Sequence, residues 1–201
     1  MTRILFFFLM ITLAFSSVQS VQAGVFPNIH EVEKGKLYRS GQLSLQQFKK
    51  YIQKWGIKTI INLRGESYGE SWYHDELLIS DYLGVEHHDI SMSASRLPHR
   101  DDLIKLLDIF ETAERPILVH CKGGADRTGE AVAIYMIDNM GMSKKEAQAK
   151  AQSIFTFHIE SRFPAKKYFI NNIYQGKDWA RESYDPCKGY KFYDPQFCPS
   201  L

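Results

Sequence analysis

The chain has little of what would point to a metal, a nucleic acid or a membrane span. Its 201 residues hold three cysteines and seven histidines. None of them has the spacing of zinc ligands, so no metal site is implied. Internal repeats and low-complexity tracts are lacking, which excludes a solenoid or an array. Charge of one sign is lacking too. Twenty-five basic and 23 acidic residues leave +2, too balanced a total to give a footprint for nucleic acid or for a membrane surface. The one long apolar run, Ile4 to Phe15, is shorter than the ~20 residues that crossing a bilayer takes.

That run has another use. Arg3 precedes it and Val21-Gln22-Ala23 follows as a small-residue cleavage site, so residues 1–23 read as a secretory signal peptide. Its removal takes one arginine and no acid, and the formal charge becomes +2 − 1 = +1. The exported chain then keeps no stable membrane span and is expected to be secreted or periplasmic. Residues 24–182 are long enough for one domain with a full core, and 183–201 form a tail rich in Pro, Gly and Tyr. Export implies an oxidising compartment. Cys187 and Cys198 are therefore expected to form a disulfide that staples the tail and leaves Cys121 free. Closing so short a loop stabilises by roughly 2–3 kcal/mol in the chain-entropy model.

The chemistry gathers in His120-Cys121-Lys122-Gly123-Gly124-Ala125-Asp126-Arg127-Thr128-Gly129. Pro116-Ile117-Leu118-Val119 leads in as a buried strand, and Glu130 to Ile137 leads out as a helix. Between them, Gly123 and Gly124 allow the backbone to curl with its N–H groups inward. The helix start adds unpaired N–H groups and the positive end of its dipole. Such a cup binds a tetrahedral dianion and stabilises a thiolate at Cys121. Arg127 can grip two phosphate oxygens through its fork. The Thr128 hydroxyl is placed to bond the sulfur and help it leave.

His-Cys-x5-Arg-Thr-Gly resembles the signature of the cysteine-dependent protein tyrosine phosphatase superfamily, in its compact dual-specificity branch. Tyr38-Arg39-Ser40-Gly41-Gln42 and Thr59-Ile60-Ile61-Asn62-Leu63-Arg64 resemble bacterial and fungal members of that branch, and extend the likeness to most of Leu37–Tyr174. The resemblance implies a phosphocysteine intermediate on Cys121 and no cofactor or metal. Arg127 and loop residues 122–126 would bind phosphate, Thr128 would assist the thiolate, and His120 would order the loop. The substrate would be a phosphorylated protein or a small phosphorylated molecule.

The general acid is less settled. Asp89 matches the family acid in its place after a strand and in its distance from Cys121. Asp126 matches the acid-Arg-Thr order of myotubularin-type lipid phosphatases, where this aspartate has been proposed as the acid. Asp101 and Asp102 fit the first turn of a helix instead. Lys122 resembles a loop lysine of lipid phosphatases, whose second lysine is Ala125 here. Arg64 stands at a strand end near the site, and Arg96, His99 and Arg100 are candidates for its rim. His87 and His88 have no metal-ligand company. Two other functions compete: a non-catalytic phosphate-binding module of the same fold, and a sulfurtransferase or thiol-redox protein.

The element pattern implies an α/β single domain with a mostly parallel central sheet flanked by helices. The expected strands are Lys36–Gln42, Lys58–Leu63, Val85–Met92 and the segment from Pro116. The expected helices begin at Ser44, Ser71, Arg100, the loop end, Lys144 (to Phe155) and Pro164 (to Tyr174). Gly24 to Lys34 reads as irregular. Nothing in the sequence sets an oligomeric state. A free-thiol count on the denatured, unreduced protein is expected to give one; a count of three would remove the disulfide.

Overall fold

The computed structural model describes residues 27–199. The signal-peptide reading of 1–23 lies outside them. Five strands form one sheet in the order β1-β2-β5-β3-β4: β1 (His30–Glu33), β2 (Leu37–Ser40), β3 (Thr59–Asn62), β4 (Glu86–Asp89) and β5 (Ile117–His120). Strand β1 runs antiparallel to β2, and the other pairings are parallel. The mostly parallel sheet is as expected. β1, expected as irregular chain, is instead an edge strand. It pairs with β2 as a hairpin across Lys34–Lys36, and its burial pattern carries no strong apolar alternation that would announce it.

Alternate residues serve opposite faces, as the strand period requires. Tyr38, Ile60 and Leu118 pack under α1 (Leu45–Trp55) and α2 (Ser71–Leu83), with Phe48, Ile52 and Ile79. Leu37, Ile61 and Val119 face α3 (Arg100–Thr112) and α4 (Asp126–Asp138), with Leu103, Leu106 and Ile134. Two helices start with complete capping boxes: Ser44 with Gln47 on α1, and Ser143 with Glu146 on α5 (Lys144–Ala151). Left-handed Gly56 and Gly84 end α1 and α2.

Three boundaries differ from expectation. Strand β4 stops at Asp89, because Ser91 bridges antiparallel to Arg64. Helix α5 stops at Ala151, where the Ala151 carbonyl is taken by Arg39 and by Thr156. The helix opened by Pro164, α6 (Pro164–Tyr168), widens into a π turn over Phe169–Ile173, and a further short helix, α7 (Lys177–Glu182), follows.

Helices α4 and α5 pack closely at Gly129. A Cβ there would sit 2.9 Å from the Ala151 carbonyl oxygen and 3.0 Å from Gln152 Cγ. Alanine normally outperforms glycine inside a helix by ~1 kcal/mol. Here the clash is with backbone, which cannot swing aside, so overpacking wins. Gly129→Ala is expected to lower stability by about 1–3 kcal/mol, read from the urea midpoint; a stabilised variant would show that the helices can part freely.

Candidate active site

Strand β5 ends at His120, and α4 begins at Asp126. The five residues between form the curled loop. Its three central carbonyls, those of Lys122, Gly123 and Gly124, turn outward and each meets a donor. The Gln42 N–H donates to Lys122 O at 3.1 Å. Asn28 Nδ2 donates to Gly123 O at 3.0 Å, and Arg39 Nη2 to Gly124 O at 2.6 Å. A trans peptide points its N–H opposite to its C=O. The N–H groups of Gly123, Gly124 and Ala125 therefore point into the loop. The curl needs Gly124 at φ +66°, where a Cβ would meet Gly41 N at 2.5 Å and Ser40 backbone at 2.6 Å. Gly41 is needed for the same reason: its own Cβ would lie 3.2 Å from Gly123.

Inside the loop, Cys121 is buried and unpaired. Cys187 and Cys198 are bonded to each other, with Cα atoms 5.4 Å apart. Arg127 is half-buried. Its Nη1 makes only long contacts, to Leu63 O at 3.3 Å and Met92 O at 3.4 Å, and its Nε has no partner. The Thr128 hydroxyl is also buried without a partner among the described residues. The groups expected to handle phosphate and sulfur thus have unused hydrogen-bonding capacity.

Two groups beneath the loop escape sequence reasoning. Arg39 is buried, and its guanidinium is held by the Ala151 and Gly124 carbonyls, with no carboxylate partner among the described residues. Burial pushes its pKa down to about 10, partly countered by the field of Cys121. Glu76 of α2 is fully buried, and accepts from Gln42 Nε2 at 2.7 Å. It pairs with His120 Nε2 at 2.7 Å and His87 Nε2 at 2.9 Å. Burial would raise its pKa; the charge and hydrogen bond of His120, with His87 and Gln42, outweigh that and hold it at about 2. Arg39 lies inside a quoted motif, but its burial has no local signal. Glu76 is one of several polar residues on a weakly patterned helix.

Arg64 faces the site edge. Its guanidinium stacks 3.3 Å from the Trp72 ring centroid and donates to Gln42 Oε1 at 2.6 Å. Burial and the neighbouring Arg127 charge lower its pKa. Asp89 is the last residue of β4. From the strand pairings and a ~4.8 Å strand spacing, its Cα lies about 10 Å from that of His120. Both carboxylate oxygens are engaged, Oδ1 by Asn62 Nδ2 at 2.7 Å and Oδ2 by the Tyr73 hydroxyl at 2.6 Å. Asp126 pairs through Oδ1 with His158 Nδ1 at 2.8 Å. Lys122 is exposed beside the nucleophile.

His99 and Arg100 do not rim the pocket. His99 pairs with Asp194 at 3.1 Å and stacks on Phe197; Arg100 donates to Arg181 O. Asp101 and Asp102 sit in the first turn of α3. His87 and His88 point apart, to Glu76 and to Glu86. Among the described residues no group of three His, Cys, Asp or Glu could hold a metal ion.

The Glu76 anchor has a signature in acid. A carboxyl depressed on folding contributes stability that is complete above its unfolded value, near 4.5, and is lost as pH falls toward the folded one, about 2. That gap corresponds to about 3 kcal/mol. Wild-type stability should fall by roughly that amount between pH 5 and pH 2 in urea titrations. Glu76→Gln should lack this limb and be about 3 kcal/mol less stable at pH 7. An unchanged acid limb in the variant would refute the assignment.

Comparison with known proteins meets the same residues. The model of a family described as "DSP-PTPase phosphatase fused to NAD+ Kinase" matches residues 12–166. The dual specificity protein phosphatase CDC14C of Homo sapiens is 31% identical over 118 residues, covering 59% of this chain and 24% of that protein. CDC14B of Mus musculus is 29% identical over 108 residues, covering 54% and 21%. The chain thus spans about a quarter or less of the length of these relatives. Among solved structures, the core catalytic domain of the PP-IP phosphatase SIW14 from S. cerevisiae superimposes with a TM-score of 0.63 at 24% identity, covering 79% of this chain and 93% of that one. TpbA of P. aeruginosa, in complex with pTyr, gives 0.60 at 22%, covering 77% and 88%. The chain belongs to the dual-specificity-phosphatase branch of the cysteine-dependent protein tyrosine phosphatase superfamily.

Proposed function

We propose that the protein hydrolyses phosphate monoesters through a phosphocysteine on Cys121. The observation that carries this reading is the loop whose Lys122, Gly123 and Gly124 carbonyls are bound from outside, so that the amides that follow them face inward, toward the sulfur. The thiolate attacks phosphorus, the ester P–O bond breaks, and the leaving alkoxide takes a proton. Water then attacks phosphocysteine, releasing phosphate and the thiolate. Amides and Arg127 meet the charge on the equatorial oxygens. Thr128 donates to the departing sulfur. A binding module would not need a free, buried cysteine there.

Asp126 is the preferred acid. Its Oδ1 is bonded to His158, it lies at the loop end next to Arg127, and it is partly exposed to the site. Asp89 already accepts a hydrogen bond on each carboxylate oxygen, from Asn62 and from Tyr73, which favours its ionised form over the protonated one an acid needs. Substrates are phosphoproteins or small phosphorylated molecules. The protein is exported by residues 1–23 to a secreted or periplasmic location, a reading supported by the Cys187–Cys198 pair.

The decisive measurement is turnover of p-nitrophenyl phosphate and of an alkyl phosphate. Cys121→Ser should abolish both. Asp126→Asn should lose ~10²–10⁴-fold on the alkyl phosphate, the poorer leaving group. Asp89→Asn should instead cost stability through Tyr73 and Asn62. The opposite pattern would move the acid to Asp89; activity surviving in Cys121→Ser would end the mechanism.

A further inference from the structure

Beside the phosphate loop, the connection from α5 to α6 is folded inside out. Thr156 and His158 are buried, while Ile154, Phe155, Phe157 and Ile159 are 78%, 84%, 55% and 56% exposed. A single exposed apolar residue is ordinary; four within six consecutive residues form a patch that marks an interaction site. The segment is firmly held. Ser153 N–H donates to Thr156 Oγ1 at 3.1 Å, His158 N–H to Ser153 O at 3.0 Å, and Asn28 Nδ2 to Thr156 O at 3.0 Å. Phe157 takes a left-handed φ of +59°, a conformation that non-glycine residues adopt at a cost and mostly at functional positions.

The patch adjoins the site. Phe157, Ile159 and Arg162 line one cavity with Gly123, Ala125 and Asp126. Asn28 binds Thr156 O and Gly123 O with the same amide group. The near-zero net charge hides a local imbalance. Asp126 and Glu160 are matched by His158 and Lys167. Lys122 and Arg162 have no salt-bridged carboxylate among the described residues, and Lys150 has only Glu146 one turn back on its helix. Lys150 shares a groove with Phe155, where Glu31 is the one acid.

We propose that Ile154–Ile159 docks the protein on an anionic bilayer surface and offers lipid-borne phosphomonoesters to Cys121. Apolar side chains that project outward between cations fit insertion among acidic headgroups. The proposal rests on the phosphatase reading above. Its reaction is the same: the P–O bond to the lipid breaks, water supplies the new oxygen, and the lipid alcohol and phosphate leave.

The test compares the full chain with Ile154→Ser/Phe155→Ser, which carries the same N-terminal segment. Vesicles are 7:3 phosphatidylcholine to phosphatidylglycerol, with phosphatidic acid as substrate. The double variant should bind about tenfold or more weakly. It should lose phosphatidic acid hydrolysis in vesicles by a similar factor, yet keep p-nitrophenyl phosphate turnover and its unfolding midpoint. Equal vesicle binding by the two proteins would overturn the proposal. So would a wild-type dimer that the variant abolishes, which would make a second copy the occupant, or equal wild-type rates on vesicular and water-soluble short-chain phosphatidic acid. If wild type binds vesicles but turns over neither substrate, the phosphatase reading is what has failed, and the lipid-substrate claim falls with it.

Discussion

The site depends on one constraint: three consecutive carbonyls must face away from the space where an anion will sit. A curled backbone does not choose that orientation unaided, because a buried carbonyl without a donor is costly. Asn28, Gln42 and Arg39 meet that requirement from three directions. Arg39 does so as a buried cation with no carboxylate in contact among the described residues. Its charge is left to act on the loop, together with the charges of Arg127 and Arg64. The buried carboxylate of α2, Glu76, is turned to His120 and His87 instead. Negative charge thus orders the histidine that precedes the nucleophile, while positive charge remains for the nucleophile and its substrate.

The sheet makes this possible through register. Ser40 and His120 are partners across β2 and β5, and Asn62 faces His120 from β3. The three strand ends therefore meet at the loop. Gly41 and Gly124 pass within the distance that a single Cβ would block. On the far side of α4, the buried Glu130–Lys166 pair at 2.9 Å ties the helix to α6, and Lys166 also donates to Arg96 O at 2.7 Å. Burial pushes the Glu130 pKa up. This pair joins the rim segment after β4 to the helix that carries Arg127.

Much of this was legible because it is local. The strand-loop-helix around Cys121 shows in an apolar run, paired glycines and a helical period. Ser44 with Gln47, and Ser143 with Glu146, announce helix starts within four residues. β1 is local too, one arm of a hairpin with β2, but its half-exposed His-Glu-Val-Glu carries little apolar pattern. What else stayed hidden is non-local. Glu76 is chosen from several acids only by the face of α2 that meets the sheet. Arg39 looks like an ordinary polar strand residue until α5 ends against it. His99 and Arg100 read as pocket-rim residues because they stand, with Arg96, where the basic loop after β4 meets α3. They turn to Asp194 and to the Arg181 carbonyl because the tail folds back over them, with Leu97 N–H donating to Phe192 O and the Tyr184 hydroxyl to Pro98 O.

The tail and the apolar patch thus take opposite sides of one problem. On one side, residues 184–198 are stapled by a disulfide and cover the rim loop, so that its basic side chains serve structure. On the other, the α5–α6 connection leaves its apolar side chains outside and turns Thr156 and His158 inward. The inward pair is what the loop requires: Thr156 helps fix the end of α5 that binds Arg39, and His158 holds Asp126. With alternate residues committed to the loop, the intervening side chains must point outward whatever their polarity. Small polar residues would meet that geometric demand at less cost in water. That isoleucine and phenylalanine stand there instead is the feature that packing alone does not explain, and the reason the patch is assigned a partner.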